Sequence, residues 1–245
     1  MKFHPHFSLA KRLLRLRTKP MITRRLSAKW ELYPKDWIDN RLLIGQPFER
    51  AQLAFAQECI RAYKLDTFFD CGANMGLYSV LLGIRLPELK NIHSFEPVPQ
   101  TYARLVKNIA LNDLSNKVKA YPYGLGDASG TFEIMLETNS SGTASLDMNV
   151  KNHPRRDFRS SQEIDIRTFD SQFSDMNTRA FFKIDVEGFE AAVLTGMENA
   201  LQQNECVLQV ELWDVHRENV IDWLAKRGYT IFHQIDCDYY FHRPS

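Results

Sequence analysis

The sequence predicts an α/β fold in which a mostly parallel, seven-stranded sheet is covered by helices on both faces. One observation is that three apolar strands alternate with amphipathic helices between residues 67 and 123, an order that requires a parallel sheet with right-handed crossovers. Another is a glycine loop between the first of these strands and its helix. The third is the pattern of residues 229–242, which is typical of a closing hairpin and makes the last strand antiparallel. Together they predict a Rossmann-like, doubly wound sheet.

The glycine loop lies in residues 67–79, Thr-Phe-Phe-Asp-Cys-Gly-Ala-Asn-Met-Gly-Leu-Tyr-Ser. The apolar run into Asp70 is typical of a strand buried on both faces, and Gly72 and Gly76 allow the backbone to turn or to approach a ligand closely. Apolar residues then recur at helical spacing, so the unpaired N–H groups at the start of that helix point into the loop. The segment predicts a site for a nucleotide-like ligand.

The spacing of the glycines helps to choose that ligand. A dinucleotide fingerprint beginning at Gly72 needs glycine at 74 and 77, where this chain has Asn74 and Leu77. The next strand ends at Glu96, 20 positions after Gly76, where a carboxylate can accept both hydroxyls of a ribose. That spacing fits NAD and S-adenosylmethionine equally well, so a nicotinamide oxidoreductase remains an alternative. Asp70 and Asn74 favour a ligand that carries an ammonium and a carboxylate.

Five segments in a fixed order resemble the FkbM family of S-adenosylmethionine-dependent O-methyltransferases, many of which act on sugar or polyketide hydroxyls. They are Asp70–Ser79, Phe95–Pro97, the helix that contains Asn108, Gly124–Asp127 and Lys183–Glu190. The resemblance spans about residues 68–213. It implies an enzyme that uses S-adenosyl-L-methionine as its methyl donor and a hydroxyl of a carbohydrate or related natural product as its acceptor.

In this methyltransferase interpretation the backbone of Gly72–Gly76 supports the methionine end of the donor and Glu96 binds its ribose. The turn at Gly126 and Asp127 lies near the adenine, and polar contacts come from Asn74 and Ser79. The predicted cofactor-binding residues are Asp70, Gly72, Asn74, Gly76, Ser79, Glu96, Gly126 and Asp127.

Four carboxylates fall at predicted strand ends, namely those of Asp70, Glu96, Asp127 and Asp185. In open α/β sheets ligands bind outside the carboxyl ends of the strands, so these residues are expected to share one site. For each residue alone, a helix cap or a loop hydrogen bond is the simpler structural explanation.

Methyl transfer to an alcohol needs alignment and a group that accepts the hydroxyl proton. Asp185 is the first candidate for this catalytic base, and His216, after the fifth strand, is the second. A weaker alternative gathers Asp185 with Glu187, Glu211 and Asp214 around Mg²⁺, because hard cations prefer oxygen ligands. The dispersed spacing of these residues does not favour a metal site.

The chain is expected to divide into an N-terminal basic extension, residues 1–45, and a catalytic domain, residues 46–245. Residues 131–137 and 164–169 both predict strands with no helix between them, so an antiparallel β insertion is expected at about 131–170. The small polar loop 139–145 is a candidate lid over the acceptor, with an ordinary surface loop as the alternative.

Charge is distributed unevenly in the chain. Its net charge is +1, yet residues 1–29 hold nine Lys and Arg and no acidic residue. This segment predicts a solvated arm or, less favoured, an amphipathic helix that makes peripheral contact with anionic lipid. No aromatic platform accompanies the basic residues, so nucleic acid is not an expected partner.

Several further expectations concern the whole protein. No apolar stretch approaches the roughly 20 residues that span a bilayer, and the four scattered cysteines are typical of reduced thiols, so a cytoplasmic enzyme is expected. Its partner is expected to be a small molecule or a glycan. A catalytically silent scaffold that binds a cofactor is a further alternative, and neither the acceptor nor the oligomeric state can be inferred from the sequence.

Overall fold

The computed structural model describes residues 12–46, 48–137, 144–145, 158–174, 176–213 and 217–244. Its strands are β1 (Met21–Arg25), β2 (Ala28–Leu32), β3 (Thr67–Cys71), β4 (Asn91–Phe95), β5 (Val118–Tyr121), β6 (Gly124–Leu125), β7 (Gly130–Glu137), β8 (Ala144–Ser145), β9 (Phe158–Arg167), β10 (Arg179–Ile184), β11 (Glu205–Glu211), β12 (Thr230–Ile235) and β13 (Asp238–His242). Its helices are α1 (Trp37–Leu43), α2 (Arg50–Ala62), α3 (Leu77–Arg85), α4 (Pro99–Leu111), α5 (Phe169–Gln172), α6 (Glu190–Thr195), α7 (Glu198–Gln203) and α8 (Arg217–Ala225).

The central sheet has seven strands in the order β12-β13-β11-β10-β3-β4-β5. β3, β4, β5, β10 and β11 run parallel, whereas β13 is antiparallel to both of its neighbours. The predicted fold class is therefore confirmed, including the antiparallel last strand. The order reverses between β3 and β10, so a crevice is expected outside their carboxyl ends.

Alternation along the strands divides the core into two layers. Phe68 and Phe181 pack on one face of the sheet with the apolar residues of α2, α3 and α4, and we call this the α3 face. Phe69 and Phe182 pack on the other face with α5, α6, α7 and α8, as expected for a doubly wound sheet. Side chains two residues apart on a strand lie on the same face of the sheet. Polar residues at even spacing from Phe68 on β3 and from Phe181 on β10 therefore also lie on the α3 face.

Strand β2 and helix α1 contribute buried residues to the apolar layer on the α3 face. Trp30 is completely buried in the layer on the α3 face, and its indole Nε1 donates to the Arg25 carbonyl at 2.9 Å. Side-chain amides of α4 and its C-cap, Asn108 and Asn112, accept hydrogen bonds from the outer edge of β2. The boundary at residue 45 stays a prediction. β2 alternates apolar residues with polar ones, and α1 adds Ile38, Leu42 and Leu43 to the buried set.

One predicted helix is divided in two. The stripe that includes Val193 and Leu201 predicts one continuous helix after β10, but the structure has α6 and α7, separated at Gly196. A Cβ at Gly196 would lie 1.9 Å from the Gly126 carbonyl oxygen. The absence of a side chain therefore lets the turn between α6 and α7 pack against the loop after β6.

A second sheet, in the order β6-β9-β7-β8, corresponds to the predicted insertion. β7 and β9 pair antiparallel as expected, and the parallel pair β6–β9 extends the sheet back to residue 124. Most of the proposed lid, residues 139–143, lies outside the described residues. Within the part of the chain that is described, no helix is long and apolar enough to cross a membrane.

Candidate active site

The glycine loop after β3 is held in place by backbone conformation and backbone contacts. Gly72 has φ +84° and Gly76 has φ +92°, in the left-handed region that favours glycine. A Cβ at Gly72 would lie 1.9 Å from the carbonyl oxygen of Asp185, so the loop packs directly against the end of β10. The amides of Gly72 and Ala73 donate to the Phe95 carbonyl at 3.1 and 2.9 Å. These bonds fix the loop against the end of β4.

Glu96 connects the loop to the end of β4. Its Oε2 accepts a hydrogen bond from the Asn74 amide at 3.0 Å, and its Oε1 accepts one from the Val98 amide at 2.9 Å. Burial raises the pKa of Glu96 to about 7. A carboxylate has about four lone-pair positions, so these two bonds leave acceptor capacity for further hydroxyl donors.

Asp70 and Ser79 lie beneath the loop and contact each other. Asp70 Oδ2 accepts hydrogen bonds from the Ser79 amide at 3.2 Å and from the Ser79 hydroxyl at 2.5 Å, and that hydroxyl also lies 2.7 Å from Ser94 Oγ. Both residues are buried, and burial raises the pKa of Asp70. These contacts join α3 to β3, while direct contact with a cofactor stays a prediction for both residues.

The turn at Gly126 and Asp127 follows β6. Gly126 is buried, and its amide donates to the Arg167 carbonyl at 3.0 Å, whereas Asp127 is exposed. A Cβ at Gly124 would lie 3.3 Å from the Pro97 ring, so this turn follows a segment that packs next to Glu96. The structure thus places the turn on the side of the loop that carries Glu96.

Lys183 and Asp185 form an ion pair at the carboxyl end of β10. The Lys183 Nζ lies 2.7 Å from Asp185 Oδ2, and both side chains extend the α3 face, two residues apart. Burial raises the pKa of Asp185, but the Lys183 ammonium outweighs burial and lowers the pKa below its ordinary value. Asp185 is therefore held ionised at a half-buried position beside the buried Lys183 ammonium.

Further polar side chains surround Lys183. Burial lowers its pKa, but the carboxylates of Asp185, Glu49 and Asp70 raise that pKa well above its ordinary value. The Tyr78 ring centroid lies 5.0 Å from the Lys183 Nζ. The Lys183 ammonium is therefore charged, and it interacts with residues from several parts of the chain.

Polar side chains near Lys183 also form hydrogen bonds with one another. Gln209 Nε2 donates to Asp238 Oδ1 at 2.8 Å and to the Tyr78 hydroxyl at 3.2 Å. Glu49, just before α2, interacts with the Tyr78 hydroxyl, and burial raises the Glu49 pKa to about 7. Buried polar side chains from α3, β11 and β13, together with Glu49 before α2, therefore form one network near Lys183.

Glu211 is a site residue that the predicted catalytic set omits. Its carboxyl is hydrogen-bonded to that of Asp185, and burial together with the Asp185 charge raises the pKa of Glu211 to about 9. The exposed indole of Trp213 donates to Glu211 Oε2 at 3.1 Å. A carboxyl that retains its proton is thus placed beside one that has lost its proton.

The structure bears differently on the second candidate base, His216, and on the Mg²⁺ alternative. His216 and Asp214 lie outside the described residues. In the described parts of the chain, no group of three or more His, Cys, Asp or Glu residues is arranged to hold a metal ion. The Mg²⁺ alternative therefore gains no support from Asp185, Glu187 and Glu211.

Comparison with known proteins bears on this geometry. The model of the methyltransferase FkbM domain matches residues 70–231, which include β3, the glycine loop, Glu96, Asp185 and Glu211. The chain belongs to the FkbM methyltransferase family. This FkbM protein is therefore a methyltransferase, and neither an oxidoreductase nor a silent scaffold fits that assignment.

Three curated proteins are similar to this FkbM chain. Methyltransferase sdnD of Sordaria araneosa is 28% identical over 191 residues, which are 66% of this chain and 73% of that protein. Methyltransferase 1 of Beauveria bassiana is 23% identical, covering 71% of this chain and 72% of that protein. Hexuronic acid methyltransferase AglP of Haloferax volcanii is 29% identical over 148 residues, 58% of this chain and 54% of that protein.

A solved structure supports the fold of this FkbM chain. It is the methyltransferase FkbM from Methylobacillus flagellatus KT, with a TM-score of 0.52 and 17% sequence identity. The similar region covers 73% of this chain and 44% of that protein. At this identity the likeness concerns the fold, and the site is argued from the contacts above.

Proposed function

We propose that this FkbM protein is an S-adenosylmethionine-dependent O-methyltransferase that acts on a hydroxyl of a carbohydrate or related natural product. The observation that carries the proposal is the direct contact of the glycine loop with the end of β10. Gly72 packs against the Asp185 backbone, so a loop suited to the donor adjoins a carboxylate that is held ionised.

The residues at the loop fit S-adenosylmethionine. Gly72 and Gly76 leave the loop without side chains where the backbone must turn, and Glu96 keeps acceptor capacity for a ribose diol. S-adenosylmethionine, when bound, supplies a methyl group activated by its sulfonium. Glu96 would hold the ribose, with Gly72–Gly76 at the methionine end and Gly126–Asp127 on the adenine side.

Asp185 would serve as the base at the acceptor end. Its carboxylate is ionised because Lys183 lies 2.7 Å away, and 24% of its side chain remains accessible to an incoming hydroxyl. A positioned general base contributes about 10²–10⁴-fold to a reaction rate. Lys183 is itself fixed between the carboxylates of Asp70 and Asp185, so the base has a supported orientation.

The acceptor class is inferred from the exposure of Asp185 and from one relative. The Asp185 side chain is 24% exposed, whereas Tyr78, Gln209 and Asp238 near Lys183 are buried and hydrogen-bonded to one another. AglP is named as a hexuronic acid methyltransferase, which supports a carbohydrate acceptor without identifying it.

Methyl transfer from radiolabelled S-adenosylmethionine to a panel of sugar nucleotides, uronic acids and glycan fragments tests the proposal. We expect the label in at least one carbohydrate, with transfer lost in Asp185→Asn and retained in Asp165→Asn, which alters an exposed ion pair with Arg167. Absence of S-adenosylmethionine binding, or transfer only to RNA, would contradict it, since nucleic acid is not a predicted partner.

We also propose a cytoplasmic location, with the basic N-terminal segment as the part that could contact a membrane. Replacing Arg12, Arg15 and Arg17 with glutamate leaves the packed strand β2 unchanged and reverses the local charge. If the segment binds lipid, co-sedimentation with anionic vesicles is lost in this variant. Equal sedimentation of both proteins would remove the membrane role.

A further inference from the structure

Asp185 and Glu211 are neighbours because of strand register. β10 and β11 are parallel, and the last paired positions are Ile184 and Val210. Asp185 and Glu211 each follow directly, so they occupy matching positions one residue beyond the ladder. The register alone therefore brings the two carboxyl groups together at the end of the sheet.

The surroundings of Glu211 favour its neutral form. Its oxygens accept hydrogen bonds from the Trp213 indole at 3.1 Å and from the Cys237 thiol at 3.5 Å. Neither donor carries a charge, whereas Asp185 beside it is ionised and paired with Lys183. Two carboxyl groups in contact cannot both ionise without a large cost, so one proton is retained between them.

We infer that Glu211 is a positioning residue for methyl transfer, which donates a hydrogen bond to Asp185 and so orients the carboxylate that receives the acceptor's proton. This inference rests on the proposed function. The Trp213 indole and the Cys237 thiol donate to the two Glu211 oxygens and so hold its carboxyl in place beside Asp185. Lys183 and Glu211 then fix Asp185 from two directions.

The proton balance of the step is simple. The acceptor O–H bond breaks, its proton moves to the Asp185 carboxylate, and the electron pair left on that oxygen forms the new O–CH₃ bond. The electron pair of the S–CH₃ bond that breaks would stay on the sulfur of the donor, which leaves as a neutral thioether. Asp185 later releases this proton to solvent, while Glu211 keeps its own proton throughout. Glu211 therefore need not exchange its proton with solvent during the reaction. The inference requires only that Glu211 is neutral before the reaction begins.

The charged and titratable groups that face Glu211 set the direction of its pH dependence. They are Lys183 on β10, Asp185 directly after it, Glu187 in the following loop, Cys237 before β13, and Asp238, which pairs with Glu211 in the β11–β13 ladder. Burial and the Asp185 charge hold the Glu211 pKa near 9, so ionisation at higher pH removes the donor to Asp185 and adds a repelling charge. Activity should therefore fall as pH rises through about 9.

Two substitutions separate positioning from chemistry. Glu211→Gln keeps a donor and a neutral group, so we expect kcat near the wild-type value and no fall in activity as pH rises through about 9. Glu211→Leu removes the donor, and kcat should fall about a hundredfold, the effect of misplacing a reacting group by about 1 Å. KM for S-adenosylmethionine should stay within threefold, by order of magnitude. Glu205→Gln, on the same strand but exposed, is the control.

A titration that needs no substrate keeps this inference separate from the proposed function. Carbon-13 NMR of protein labelled at glutamate carboxyls should show one signal, absent in Glu211→Gln, that titrates well above neutral pH. A Glu211 signal that titrates near its ordinary value, or a kcat as low in Glu211→Gln as in Glu211→Leu, would overturn the inference. Failure of the wild type to transfer methyl would overturn the proposed function, whatever the titration shows.

Discussion

The two ends of the candidate site are built in different ways. At the proposed cofactor end, Gly72, Asn74 and Glu96 are fixed through backbone groups, and these residues come from two adjacent strand–loop junctions. At the proposed acceptor end, Lys183, Asp185 and Glu211 are fixed by one another's side chains and by charge. The first end depends on conformation and the second on ionisation, so substitutions at each should fail differently.

The largest effect is expected where the two ends meet. Gly72→Ala places a Cβ 1.9 Å from the Asp185 carbonyl at a positive φ, so we expect at least about 5 kcal/mol of destabilisation or failure to fold. Gly45→Ala is the matched control, because Gly45 also has a positive φ but no heavy atom near its Cβ position. Its cost should be about 1–2 kcal/mol. Equal unfolding free energies for the two variants would show that the ends do not pack together.

At the acceptor end, a substitution is expected to lower kcat without changing the affinity for S-adenosylmethionine. Asp185→Asn removes the base but keeps the shape, so kcat should fall about a thousandfold. The dissociation constant for S-adenosylmethionine should change little, since that molecule would be held by Glu96 and the loop. Single-turnover methyl transfer measures the catalytic rate, and calorimetry measures the dissociation constant. A parallel loss of rate and affinity would show that the two ends do not act separately.

Stability should also depend on charge at the acceptor end. Lys183→Met leaves Asp185 and the buried Asp70 without their cation, and we expect about 3 kcal/mol or more of destabilisation in urea unfolding. Lys90→Met, which breaks an exposed ion pair with Asp66, is the control and should cost at most about 1 kcal/mol. Adding Asp185→Asn to Lys183→Met should restore part of the loss. No restoration would argue against the pair as a unit.

The smallest effect concerns the pH dependence of donor binding. Burial raises the Glu96 pKa to about 7, and the ionised form accepts the ribose hydroxyls best. Affinity for S-adenosylmethionine should therefore rise about tenfold between about pH 6 and pH 8, as the protonated fraction disappears. Glu96→Gln should bind weakly with no such dependence. An affinity that falls over this range would reverse the assigned role of the carboxylate.

The difference between the two ends also explains which parts of the site could be predicted from the sequence. The loop, Glu96 and the order of strands are local patterns of glycine spacing and apolar periodicity, and the structure confirms the fold that they predict. The sequence grouped Glu211 with Asp185 only as a possible Mg²⁺ ligand, and its contact with Asp185 follows from strand register. Glu49 joins the site from a distant helix start, which no local pattern encodes. The separation of α6 from α7 likewise depends on contact between Gly196 and Gly126.

The N-terminal region shows a further limit of local patterns. Nine basic residues in residues 1–29 dominate the composition of that segment and favour a solvated arm. The alternation of Ala28, Trp30 and Leu32 is short, yet it decides the structure because these side chains fill the core. In the described part of this segment, the packing of β2 shows where the core begins.

Calorimetric titration of S-adenosylmethionine into wild type, Glu96→Ala and Asp185→Asn tests the separation of the two ends most directly. We expect binding by wild type and Asp185→Asn alike. Glu96→Ala should lose at least about a hundredfold in affinity, because hydrogen bonds to a charged group contribute about 1.5–3 kcal/mol each. Unchanged affinity in Glu96→Ala, or no binding by the wild type, would contradict the assignment of the glycine loop as the methyl-donor site.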